Sequence, residues 1–305
     1  MDWIAAARRR LLELRGDAPG WGYGPRKPPN VEPSVFAALA MLATDADAER
    51  PATRERARIS GDWLARIQNA DGSVGLSEEL PLPNWPTAHA ILLWGALDRL
   101  GDQPPRYAAF SAKAVDFLLH FEGKATPFDP NAAVGHDTTI PGWPWVPNTH
   151  MWVEPTSWAI MALAAEGQGQ HQRVIDGKRL LRNRSLPVGG WNYGNTVVLG
   201  TELRPHPGPS GIALMGLLGD PPTGEAVDLG VKYLKKTLPT LRAAPSLAPG
   251  LLSLAAWKQA PKEADQWLAE AHPAAAKRSD AAYQLAWLLL AAKPEETLRL
   301  LNARR

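Results

Sequence analysis

The chain has 305 residues, with 33 Lys plus Arg against 31 Asp plus Glu, 13 Trp, 29 Pro, 26 Gly and no Cys. Near-balanced charge gives no basic stripe for a phosphate backbone and excludes nucleic acid as a partner. The lack of Cys excludes a disulfide framework, a Cys-held zinc or iron–sulfur site and a Cys nucleophile. The Met1-Asp2-Trp3-Ile4 start has no apolar run after Arg8-Arg9-Arg10, and the longest apolar stretch, Leu285–Ala292, is far short of the ~20 residues of a membrane span. A cytoplasmic protein is therefore expected.

In chain order, helical apolar spacing runs over Asp2–Leu14, Ser34–Leu42, Arg56–Ile67, Thr87–Leu97, Ser111–Phe121, Thr156–Ala165, Val174–Leu181, Ser210–Leu218, Ala226–Leu238, Leu251–Trp257, Ala264–Ala271 and Asp280–Ala291. These are twelve helices in six pairs, with strand-like alternation nowhere sustained. Pro33, Pro86, Pro155 and Pro209 read as standing just before short apolar helices, where a missing N–H costs nothing.

The connections repeat too. Gly-Trp-x-aromatic occurs at Gly20-Trp21-Gly22-Tyr23, Gly142-Trp143-Pro144-Trp145 and Gly190-Trp191-Asn192-Tyr193, with a degenerate copy at Gln68–Val74. Val31-Glu32-Pro33-Ser34 and Val153-Glu154-Pro155-Thr156 follow Trp21 and Trp143 at the same distance. Helix pairs that cannot bury their apolar faces alone must stack on neighbours. Short apolar helices alternating with longer charged ones predict a closed ring: one all-α, (α/α)6-type toroid spanning 1–305.

The Gln68-Asn69-Ala70-Asp71-Gly72-Ser73 element, the run Gly189–Asn195, and the helices from Trp158 and Ser210 resemble squalene and oxidosqualene cyclases and protein prenyltransferase β subunits. The resemblance covers roughly 3–291. It implies a barrel in which Trp21, Trp143 and Trp191 tie outer helices to inner ones, and a terpenoid cyclase or isomerase that protonates an isoprenoid. The family's Asp-x-Asp-Asp acid motif falls on Trp152-Val153-Glu154-Pro155, so Glu154 takes the proton donor's place and both flanking Asp are missing. Glu32 is its counterpart in the first repeat. Both glutamates also suit a helix N-terminus on dipole grounds alone. In the zinc-dependent branch the Cys ligand falls on Thr156, so no metal and no cofactor is expected. The Asp-rich magnesium motif of other terpene synthases is missing, and Asp45-Ala46-Asp47 reads as a solvated loop.

The segment 122–153 has no evident secondary structure and is rich in rings, including Phe128, Trp143, Trp145 and Trp152. A loop that long in a compact domain is usually functional, and a lid over one barrel mouth is expected. Aromatic faces stabilise a carbocation without reacting as bases. Trp145, Trp152, Trp158, Trp85, His89, Tyr193 and Tyr283 are the expected substrate-lining residues, and Asp137 is an alternative acid. Asp280 reads as a helix cap. Ser34, Thr87, Thr156 and Ser210 lack the adjacent base a nucleophile needs.

Two other functions fit the same pattern. One is a non-catalytic barrel that binds an apolar isoprenoid or lipid, or a protein partner, with room for peripheral contact with a membrane. The other is a carbohydrate-active barrel with paired carboxylates such as Glu32 and Glu154. An apolar cavity of several hundred Å³ beside Glu154 is expected of a cyclase, and a side-chain-filled barrel argues against either enzyme. Oligomeric state is not fixed by the sequence.

Overall fold

The structure, a computed structural model, describes residues 2–45, 50–101, 104–127, 134–219 and 224–303. All twelve expected helices are present, in two concentric sets. The inner set is α2 (Val31–Ala43), α4 (Thr87–Leu100), α6 (Val153–Ala165), α8 (Pro207–Gly216), α10 (Ala244–Ala256) and α12 (Ala281–Ala292). The outer set is α1 (Trp3–Arg15), α3 (Arg50–Arg66), α5 (Ala108–His120), α7 (Gln172–Asn183), α9 (Glu225–Thr237) and α11 (Ala264–Ala275). Each inner helix touches the next and α12 closes on α2, which makes the fold an all-α toroid. Composition sorts the two sets: eleven residues of α2 are buried against three of α1, because a helix apolar all round must be enclosed.

Three features differ from the sequence reading. Pro33, Pro155 and Pro209 lie inside the first turn of α2, α6 and α8, and only Pro86 is a cap. The first-turn N–H groups have no partner in the helix, so proline remains free of cost there. Val-Glu-Pro is thus the first turn itself, which places Glu32 and Glu154 at the second helical position. A two-stranded hairpin, β1 (Val197–Val198) with β2 (Thr201–Glu202), is too short for alternation to reveal. A thirteenth helix, α13 (Pro294–Leu300), crosses the C-terminal end of the ring against α2, α4, α10 and α12. Among the described residues, no helix is long and apolar enough to cross a membrane.

The Gly-Trp loops are the fastenings of the ring. Trp21 Nε1 donates to Leu11 O on α1 at 2.7 Å, Trp143 Nε1 to Leu118 O on α5 at 2.9 Å, and Trp191 Nε1 to Leu181 O on α7 at 2.6 Å. The same residues are held to the inner helix by a hydroxyl. The backbone N–H of Trp21, Val74, Trp143 and Trp191 donates to Ser34 Oγ, Thr87 Oγ1, Thr156 Oγ1 and Ser210 Oγ at 2.8–2.9 Å. The hydroxyls of Ser34, Thr156 and Ser210 donate back to the carbonyl of the residue they clasp, at 3.1–3.4 Å, whereas that of Thr87 donates to Asn84 O at 2.7 Å. The preceding glycine makes room for the hydroxyl: a Cβ on Gly20 would lie 2.3 Å from Ser34 Oγ, and one on Gly142 2.8 Å from Thr156 Oγ1. These hydroxyls are structural, and the three tryptophans are at most 1 % exposed.

Thr156→Val keeps the volume and leaves the buried Trp143 N–H without a partner. It is expected to cost about 1–3 kcal/mol in urea unfolding, whereas Thr156→Ser, which keeps the hydroxyl, costs less.

Candidate functional site

Four inner helices each aim two residues, one turn apart, into the ring: Glu32 and Phe36 from α2, Trp85 and His89 at the start of α4, Glu154 and Trp158 from α6, Tyr283 and Trp287 from α12. Residues four apart share a helix face, so the eight side chains form two layers. In the lower layer Phe36 lies 5.1 Å from His89, 5.3 Å from Trp158 and 4.9 Å from Trp287 between ring centroids, and His89 lies 4.7 Å from Trp158. In the upper layer Trp145, from the 121–152 connection, meets Trp85 edge-on at 4.8 Å, and Tyr23 faces Tyr283 at 6.0 Å. Tyr23 also donates its hydroxyl to Glu32 Oε2.

The two carboxyl groups open to the mouth but sit among rings that displace most of their water. Desolvation pushes Glu32 up to about 8; the Tyr23 hydroxyl opposes the shift and the charge of Glu154 adds to it. Desolvation pushes Glu154 up to about 7, opposed by the nearby Trp158 indole. That indole N–H makes no hydrogen bond of good geometry. Burial likewise raises the Tyr23 and Tyr283 phenols, with both glutamates contributing. His89 is fully buried, both its ring nitrogens lack a partner among the described residues, and desolvation takes it down to about 3. Trp287 Nε1 is also unpartnered. A cluster of desolvated acids beside orphaned donors costs stability, which is characteristic of functional sites.

Among the described residues, the space enclosed by these rings is far smaller than the several hundred Å³ expected. Below the lower layer lies an apolar void of about 10 Å³, walled by residues including Phe36, Trp158, Met161, Met215, Trp287 and Leu301. Bulky side chains from four helices converge on the axis and fill the space.

The structure thus brings together Glu32, Glu154, Trp85, His89, Trp145, Trp158 and Tyr283. Trp152 caps α6 and packs toward Gly194 at the rim, while Tyr193 is 53 % exposed and meets His206 in a tilted pair at 5.6 Å. Asp137 does not join them. Its Oδ1 accepts from Thr139 N and Oγ1 at 2.9 and 2.6 Å, which holds its carboxyl below the usual range. Asp45 is not a free solvated carboxylate: it lies 3.6 Å from Arg8. Asp280 sits at the α12 cap position but bonds the Gln284 side chain instead of the backbone. Phe128, Ala46 and Asp47 lie outside the described residues. The sequence reading passed over Phe36, Trp287 and Tyr23 as site residues; the first two follow Glu32 and Tyr283 by one helical turn, the same spacing as Glu154 and Trp158. The described residues contain no group of three or more His, Asp or Glu placed to hold a metal.

No family model and no curated protein matches the chain. Solved structures do. A protein from Actinoplanes superposes over 98% of this chain and 99% of its own, with TM-score 0.58 and 17% identity. A variant of the type II terpene cyclase MstE from Scytonema, in complex with merosterolic acid A as product, covers 98% of this chain and 97% of its own, with TM-score 0.55 and 15% identity. Salmonella alpha-2-macroglobulin reacted with methylamine matches over 96% of this chain but 17% of its own, with TM-score 0.51 and 15% identity. The toroid is terpene cyclase-like. At these identities the likeness is one of fold, and the same ring forms a small part of a much longer protein.

Raised carboxyl values have a sign. A glutamate that holds its proton when folded and releases it when unfolded stabilises the fold at low pH and loses that contribution as pH rises through its folded value. His89 and His136, both lowered by burial, act in the opposite direction, but only below about 6.5. Between pH 6.5 and about 8 the urea midpoint is therefore expected to fall, and Glu32→Gln to flatten that slope.

Proposed function

We propose that this terpene cyclase-like barrel takes an apolar, isoprenoid-class molecule at its aromatic mouth and protonates it with Glu154. The observation that carries this reading is the convergence of two desolvated carboxyl groups, both raised above the ordinary carboxylate range, on a wall of rings. Transfer of the Glu154 proton to a carbon–carbon double bond makes a tertiary carbocation and a carboxylate. The cation is attacked by a neighbouring double bond or migrates, and loss of a C–H proton back to the carboxylate restores the acid. The net change is an isomerisation, so no cofactor is consumed. Phe36, Trp158 and Trp287 offer ring faces to the passing charge. Tyr23, bonded to Glu32, keeps the second carboxyl fixed beside the first.

The filled ring favours a second reading, a barrel that binds an apolar ligand without chemistry, since the lower-layer rings must turn aside before a polyene fits. The carbohydrate reading gains least, because the walls around the glutamates are rings rather than hydrogen-bonding side chains.

Incubation with farnesyl, geranylgeranyl and squalene substrates, followed by mass spectrometry, separates these readings. Acid catalysis predicts a cyclised or isomerised product whose rate of formation falls about 10²- to 10⁴-fold in Glu154→Gln. A product rate unchanged in that variant removes Glu154 from the mechanism. Ligand binding with no product from any substrate leaves the non-catalytic barrel.

A further inference from the structure

The geometry points to a second way into the toroid, at the end opposite the glutamates, that admits one apolar chain between Met161, Met215 and Leu301. Two separate spaces meet there. One is the 10 Å³ void below the aromatic layers, which is walled only by apolar side chains. The other is a surface cleft of about 370 Å³ between α6, α8 and the residues that follow α13, with Gly216, Gly219 and Asn302 on its walls. Met161, Met215 and Leu301 line both. These three side chains are the floor of the cleft and the wall of the void at once, each 5–6 % exposed.

The composition of this partition suits a gate. Methionine is unbranched, has three rotatable bonds and repacks at little cost, so two of the three side chains can swing without moving a helix. The third stands on a segment added outside the six-pair ring. Residues 300–302 are tied down by Arg99 Nη2 to Leu300 O at 2.6 Å and by Asn302 Nδ2 to Ala165 O at 3.1 Å. The void behind it is too small and too apolar to hold a hydrogen-bonded water, so an apolar chain displaces no ordered solvent. The cleft carries polar residues on its walls, Gln170, Lys178 and Asn302, and is apolar where Met161, Met215 and Leu301 close it. A molecule with a polar head and a single unbranched or prenyl chain matches that gradient. Met161 lies about 10 Å below Glu154 along α6, at 1.5 Å per residue, so a chain threaded through the gate points its far end at the carboxyl groups. The inference takes the class of ligand from the reading above, but access at this end does not depend on chemistry at the other.

N-phenyl-1-naphthylamine, whose fluorescence rises in apolar sites, tests this on the intact chain. Leu301→Ala is expected to bind the probe roughly tenfold more tightly than the unaltered protein, with farnesol displacing it, while Tyr193→Ala at the glutamate mouth leaves binding unchanged. Unchanged binding in folded Leu301→Ala overturns the inference, as does a rise confined to Tyr193→Ala. Should Leu301→Ala fail to fold, Met215→Cys decides. The chain has no other thiol, and farnesol is expected to slow N-ethylmaleimide alkylation of this one; an alkylation rate indifferent to farnesol overturns the gate. If the probe results hold and no isoprenoid product forms, the gate stands and the acid chemistry falls. If product forms and the probe results fail, the reverse is true.

Discussion

The ring stands on a hydrogen bond between a loop and a helix start. Ser34, Thr87, Thr156 and Ser210 each accept from one backbone N–H in the preceding connection, and Ser34, Thr156 and Ser210 donate to the carbonyl of the same residue. An inner helix apolar all round has no polar stripe to fix its rotation about its own axis. The hydroxyl supplies that reference, and the indole N–H of the clasped tryptophan extends it to the outer helix. None of the inner helices has a side-chain N-cap bond. Their starts are instead fixed by the loops, as where Val31 N donates to Leu76 O at 2.9 Å and Val153 N to Tyr193 O at 3.0 Å.

Fixed rotation has a consequence on the axis. Once α2, α4 and α6 are locked, the residues one turn apart on their inward faces form stacked layers with Tyr283 and Trp287 of α12. Glutamates at the second helical position then lie at the top of an aromatic well, close enough for Glu154 to raise Glu32. Helix starts ordinarily favour carboxylate charge. Here desolvation by the surrounding rings outweighs the helix dipole and pushes Glu32 up to about 8 and Glu154 up to about 7.

Much of this was legible in the sequence, and the reasons differ by element. The inner helices announced themselves through continuous apolar periodicity, and Trp21, Trp143 and Trp191 through repetition. The clasp was also there to be read: the hydroxyl follows the clasped residue by thirteen positions in three repeats and by nineteen in the fourth, where the β1–β2 hairpin intervenes. The glutamates were visible as a repeated first turn. Phe36 and Trp287 were hidden among apolar neighbours, because a helix buried on all sides gives no hint of which face meets the axis. The filled barrel could not be read at all. Whether converging rings enclose a cavity or close it depends on rotamers and helix separation, which no spacing encodes. Helix α13 escaped notice because seven residues carry too little periodicity.

One wall of the ring differs from the others. Where α8 meets α10, a Cβ on Gly211 would lie 2.5 Å from the Pro249 carbonyl, so the two backbones touch with no side chain between them. Backbone against backbone cannot shear or spread without a clash or a gap, whereas side chains can change rotamer and absorb a shift. The toroid is therefore a hoop with one welded joint. Any widening must come from the other seams of the ring, including those among α2, α4, α6 and α12 that carry the glutamates and the rings.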